Sequence, residues 1–80
     1  MFIVLEIQST DEASSVIANT YQDGADAENK YHTILAYAAK SQVPVHSAVM
    51  LNEMGTQIKN EYYIHRQEPE EVTEDEGLAD

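Results

Sequence analysis

The chain has no cysteine and no tryptophan, only three glycines and two prolines, and four basic residues against fifteen acids. Each shortage excludes something. Without cysteine there is no disulfide framework, no thiolate nucleophile and no cysteine-ligated zinc. Four Lys+Arg in 80 residues cannot build the basic stripe that displaces counterions from phosphate, which excludes a conventional nucleic-acid binder. The net charge of −11 also argues against anionic membrane surfaces. Three glycines form neither a Gly-x-Gly-x-x-Gly fingerprint nor a P-loop. The N-terminal apolar run, Met1 to Leu5, ends at Glu6, far too short for a membrane span. It has neither a basic n-region nor a cleavage site, so it does not read as a signal peptide. The expectation is a cytoplasmic protein of one small domain.

What charge there is lies mostly at one end. Glu68, Glu70, Glu71, Glu74, Asp75, Glu76 and Asp80 fall within 67–80, where Val72 and Leu78 are the only sizeable apolar residues. Such a segment cannot bury enough surface to offset the entropy of ordering. It is expected to be a disordered acidic tail, and 1–66 the folded domain. Glu74-Asp75-Glu76-Gly77 reads as a solvated acidic run rather than a calcium loop.

Within 1–66, Phe2-Ile3-Val4-Leu5-Glu6-Ile7 reads as a central strand, apolar on both faces. Ser9 to Glu12 is a turn cluster, and Ser15 to Tyr21 a second strand. Setting Ile7 opposite Val16 pairs Leu5 with Ala18, Ile3 with Thr20 and Phe2 with Tyr21. Asp23 is the expected N-cap of a helix in which Ala27, Tyr31, Ile34, Leu35 and Ala38 form one apolar stripe. Lys40 suits the helix end, and Pro44 forbids continuation. Val45 to Leu51 and Ile58 to Ile64 alternate as a second hairpin, with Leu51 paired to Ile58. The expected fold is therefore α+β, ββαββ: a four-stranded, mainly antiparallel sheet with one helix on one face.

One helix covers one face. The apolar count assigns Ile3, Leu5, Ile7, Val16, Val45, Val49, Leu51, Ile58, Tyr62 and Ile64 to the helix side. Phe2, Val4, Tyr21, His46, Ala48, Met50 and Tyr63 then form the other face, too apolar for plain solvation. A domain this small buries only about 60% of its unfolded surface, so covering that second face would help it. Phe2, Val4, Tyr21, His46, Met50 and Tyr63 are the expected contact residues of a homodimer. Tyr37 joins Tyr63 as a candidate for contact surface, with Tyr31 and Tyr62 in the core.

The chemical constellations are thin. His46, His65 and Glu61 share a face and would be the residues of any metal site, but no ligand spacing supports one. At an interface these histidines would weaken association once protonated near pH 6. His32 lies at the edge of the helix stripe. His46 and Ser47 resemble a base and nucleophile, yet neighbouring strand residues point to opposite faces and cannot meet. Asp23-Gly24-Ala25-Asp26 is a cap rather than a calcium loop. No catalytic residue, cofactor or metal is expected.

Three segments, Met1-Phe2-Ile3-Val4-Leu5-Glu6-Ile7-Gln8, Lys30-Tyr31-His32-Thr33-Ile34-Leu35-Ala36 and Val43-Pro44-Val45-His46-Ser47-Ala48-Val49-Met50-Leu51, carry a resemblance. The chain is similar over residues 1–65 to small proteins encoded by gut anaerobes, often within prophage-like regions. The resemblance brings no activity, cofactor or catalytic residue with it. It implies a phage structural accessory or a modulator of a host or phage protein. The functional expectation is a non-enzymatic protein acting through protein–protein contact, as a homodimer. The alternative is an acidic inhibitor that occupies a basic nucleic-acid-binding site on an enzyme. That alternative requires carboxylates at ordered, duplex-like spacing, whereas residues 1–67 carry a net charge of only −4, four bases against eight acids.

Overall fold

A computed structural model describes residues 1–65; the expected acidic tail, 67–80, lies outside the described residues. The chain runs β1 (Phe2–Ser9), β2 (Ser14–Tyr21), α1 (Gly24–Ala38), β3 (Val45–Asn52) and β4 (Gln57–Ile64). The four strands form one antiparallel sheet in the order β2-β1-β3-β4. Phe2-Ile3-Val4-Leu5-Glu6-Ile7 is central, as its two apolar faces require. β2 and β3 both run antiparallel to β1. They are therefore parallel to each other, and α1 bridges them as the crossover of a split β-α-β unit.

Local chemistry sets the boundaries. Thr10 Oγ1 accepts from the amides of Glu12 and Ala13, and Thr10 N–H donates to the Ala13 carbonyl at 2.8 Å. This two-residue loop fixes the β1–β2 register, which pairs Ile7 with Val16, Leu5 with Ala18, Ile3 with Thr20 and Phe2 with Tyr21 as expected. Asp23 caps α1, its carboxylate accepting from Ala25 N–H at 2.9 Å. At the other end the last turn tightens, with Lys40 and Ser41 amides reaching the Tyr37 and Ala38 carbonyls. In the second hairpin Val45 faces Ile64 and Met50 faces Lys59. A bulge between Met50 and Leu51 then sets Leu51 opposite Gln57 rather than Ile58.

The helix buries Ala27, Tyr31, Ile34, Leu35 and Ala38, the stripe its spacing predicts. Its sheet face corrects the sequence reading. α1 packs on Val4, Ala48 and Met50, with Phe2 and Tyr21 at the margin. His46 is fully buried on that face. The expected contact residues Phe2, Val4, Tyr21, His46 and Met50 thus line the helix-covered side. The face carrying Ile3, Leu5, Ile7, Val45, Val49 and Leu51 is the open one. The apolar count pointed the wrong way because both faces are apolar. A right-handed crossover between the parallel β2 and β3 fixes which face the helix covers, and handedness does not enter a count of apolar residues.

Candidate interaction surface

Two features carry chemistry or contact, and they lie on opposite sides of the sheet. The first is a polar network at the C-terminal end of α1. β1 projects Glu6 and β3 projects His46 onto the helix side as diagonal neighbours, since His46 pairs with Gln8. His46 Nε2 lies 2.7 Å from Glu6 Oε2, and its Nδ1 lies 2.8 Å from Ser41 Oγ in the loop after α1. The Tyr37 ring meets the imidazole edge-on at 5.6 Å between centroids. Gln8 adds a second bond to Glu6 at 3.1 Å. With the carboxylate ionised, Nε2–H donates to Glu6, and Ser41 Oγ closes the bond to Nδ1.

A hydroxyl, an imidazole and a carboxylate in a row are the parts of an activated nucleophile. Here His46 has no exposed surface, and the aromatic ring of Tyr37 packs on it. A cleft of about 300 Å³ lies elsewhere, between α1 and β4, lined by Tyr31, His32, Lys59, Asn60 and Glu61. The Ser41–His46–Glu6 row is what a satisfied buried histidine needs, and it ties the loop after α1 to the middle of the sheet.

The residues that any metal site would use each face a different protein partner. His46 turns to Glu6 and Ser41. His65 Nε2–H donates to the Ala38 carbonyl at 2.8 Å, closing the helix end from outside the helix. Glu61 accepts from the Tyr31 hydroxyl at 3.5 Å. Among the described residues no cluster of three or more His, Asp or Glu could hold a metal ion.

Lys59 organises the cleft. Its ammonium is 2.9 Å from Glu28 and 5.4 Å from the centroid of the Tyr31 ring. The hydrogen bond from Lys59 holds the Glu28 carboxyl below the ordinary carboxylate value, with His32 acting in the same direction. Burial raises the Tyr31 hydroxyl above the ordinary phenol value, and the Glu61 charge adds to it.

The second feature is the open face. It carries Ile3, Leu5 and Ile7 from β1, Val16 and Ala18 from β2, Val45, Ser47, Val49 and Leu51 from β3, and Tyr62 and Ile64 from β4. Strand alternation places no Asp, Glu, Lys or Arg there. Tyr62 is 61% exposed and Ile64 58%. Tyr62, expected in the core, therefore stands on the open side. Tyr63 sits opposite His46 on the other face of edge strand β4, 41% exposed and stacked on His65. Tyr37 is 60% exposed even as its ring edge meets His46.

Sequence reasoning missed Ser41 and Glu6 as partners of His46. A signal for Glu6 was present: one carboxylate inside Phe2-Ile3-Val4-Leu5-Glu6-Ile7 must find a partner if its face is covered. Ser41 had no such signal, because only the folded loop brings it to Nδ1. No helix among the described residues is long and apolar enough to cross a membrane. Comparison with protein-family models, with curated proteins and with solved structures finds no match to this chain.

Proposed function

We propose that this chain is a non-enzymatic assembly protein that works through protein–protein contact, pairing sheet to sheet as a homodimer. The observation behind this reading is the open face, a charge-free apolar surface on a chain of net charge −11. Four strands about 4.8 Å apart, each eight residues long at about 3.3 Å per residue, span about 500 Å² in projection. Side-chain relief raises the accessible area above that figure. Two stacked copies then fall near the roughly 1,200 Å² at which specific interfaces begin. A contiguous apolar patch of this size lies at the upper end of what a monomer exposes, and such patches often mark contact sites. Stacking two such faces desolvates no charge.

The acidic-inhibitor reading draws less from the fold. Glu6, Glu28, Glu53 and Glu61 are engaged with His46, Lys59, the Met1 amine and the Tyr31 hydroxyl. They do not form the free row of carboxylates that imitates a phosphate backbone. A prophage setting, which the sequence resemblance implies, suits an accessory of a larger assembly.

The test is light scattering behind size-exclusion chromatography on the full chain and on Leu5→Lys and Tyr62→Lys. The expected result is a dimer or larger species for the native chain and a smaller species for both variants, with circular dichroism unchanged. A native chain that is monomeric at about 100 micromolar, where a dimer with a Kd of about 10 micromolar (roughly −7 kcal/mol) would be mostly formed, would overturn it.

A further inference from the structure

We propose that β2 is a self-pairing edge, and that a second copy of this chain adds its own β2 antiparallel to it about a two-fold axis at Ile17. The two ends of the sheet differ in kind. β4, at one edge, carries Lys59 and Glu61 and is distorted by the bulge opposite Leu51. Charges and bulges are the devices that keep an edge strand from recruiting another strand. β2, at the other edge, reads Ser14-Ser15-Val16-Ile17-Ala18-Asn19-Thr20-Tyr21. It has no charge, proline or glycine in a chain with nineteen charged residues, four basic and fifteen acidic. Its ladder to β1 runs unbroken from Ser9–Ser14 to Phe2–Tyr21, with no bulge. Val16 and Ile17 are 58% and 50% exposed.

The hairpin fixes which groups the edge offers. Thr10 and Ala13 close the loop through a backbone bond. Antiparallel alternation then turns the N–H and C=O of Ser15, Ile17 and Asn19 toward β1. Those of Ser14, Val16, Ala18 and Thr20 point outward. An incoming strand must match both this alternation and the two faces. Antiparallel pairing centred on Ile17 does both: Val16 meets the partner's Ala18 in a hydrogen-bonded pair, and Ile17 meets the partner's Ile17 in a non-bonded pair. Seven residues, Ser14 to Thr20, are paired in this way, apolar against apolar at the centre. No like charges are opposed, since β2 carries none. A second copy is therefore the occupant that the strand fits by its own symmetry.

This contact runs in the plane of the sheet through the outward N–H and C=O groups of β2, whereas stacking on the open face uses side chains such as Val16 and Ala18. The two contacts can succeed or fail independently. Where both form, two continuous eight-stranded sheets stack face to face.

Because the chain has no cysteine, single-cysteine variants report contact without background. Ile17→Cys places two thiols in a non-bonded pair, close enough to bridge. The expected result under mild oxidation is a disulfide dimer as the main product for Ile17→Cys, and monomer for Glu61→Cys on β4. In the native chain the Val16 and Ala18 amides should exchange at least about tenfold more slowly than those of an open edge. Ile17→Lys should abolish that protection, and Ser15→Lys serves if Ile17→Lys does not fold. Equal cross-linking of Ile17→Cys and Glu61→Cys would overturn the proposal. So would fast exchange at Val16 and Ala18 in the native chain, leaving the edge to an extended peptide of another protein.

Discussion

His46 and Glu6 meet at 2.7 Å beneath the end of α1, with the imidazole wholly out of water. The pair is a closed account of hydrogen bonds: both ring nitrogens are satisfied, and Gln8 supports the carboxylate. Removing one member strands the other. Glu6→Ala leaves a buried N–H without an acceptor and should cost about 1–3 kcal/mol. Glu6→Gln keeps an oxygen within reach and should cost less. Urea unfolding of both variants checks this. Equal midpoints for Glu6→Ala and the native chain would show that the pair contributes nothing.

The same pair shows how far the sequence can be read. The β1–β2 register was legible because a short loop leaves one pairing that matches the apolar residues. The helix stripe was legible because Ala27, Tyr31, Ile34, Leu35 and Ala38 repeat at the helical period and match no strand. The choice of face was not legible. Ile3, Leu5 and Ile7 outweigh Phe2, Val4 and Glu6 in apolar surface, so the richer face was assigned to the helix. The helix instead covers the face that carries Glu6 and His46, where small Ala27, Ala38 and Ala48 let the elements approach. The contact residues inferred from the exposed side inherited that inversion, although the strands and their alternation were right.

Two groups add small pH-dependent contributions to stability, the exposed Glu28–Lys59 pair the smaller. Glu28 is held below its ordinary value by Lys59 and then His32. Its contribution is present above the unfolded carboxylate value and is lost as pH falls through the lower folded one. Tyr31 is raised by burial and then by Glu61. Its contribution is complete below the ordinary phenol value and is lost as pH rises through the higher folded one. Lys59→Met should move the Glu28 titration back up toward the ordinary carboxylate range, read by carboxyl-carbon NMR. Tyr31→Phe should remove the alkaline loss attributable to this group. An unmoved Glu28 titration in Lys59→Met would contradict the assignment.

Gly55 closes the β3–β4 turn with φ of +82°, and its N–H donates to the Asn52 carbonyl at 2.9 Å. Asn52 Oδ1 accepts from the Met54 and Thr56 amides on either side. Beyond Gly55 and its two chain neighbours, no atom lies within 4 Å of where a Cβ would stand. The penalty for a side chain is therefore backbone strain alone, about 1–2 kcal/mol for Gly55→Ala. Gly55→Asn, which tolerates left-handed geometry better, should recover part of it. Thermal unfolding of the three proteins should rank Gly above Asn above Ala.

Val4 and Leu5 are neighbours in β1 on opposite faces, and they separate the two sides of the sheet most cleanly. Val4 is fully buried against the helix, while Leu5 is only partly buried on the open face. Val4→Lys forces a charge into a closed apolar space and should cost about 4 kcal/mol or more. That is comparable with the whole stability of a domain of this size, about 3–10 kcal/mol, so the variant should be largely unfolded. Leu5→Lys can lay its aliphatic stem over the sheet and keep its ammonium in water. It should fold, with a loss of about 1 kcal/mol in the monomer, and dissociate the face-to-face dimer. Amide NMR spectra of the two variants decide the matter. A folded Val4→Lys beside an unfolded Leu5→Lys would return the helix to the Ile3, Leu5 and Ile7 face.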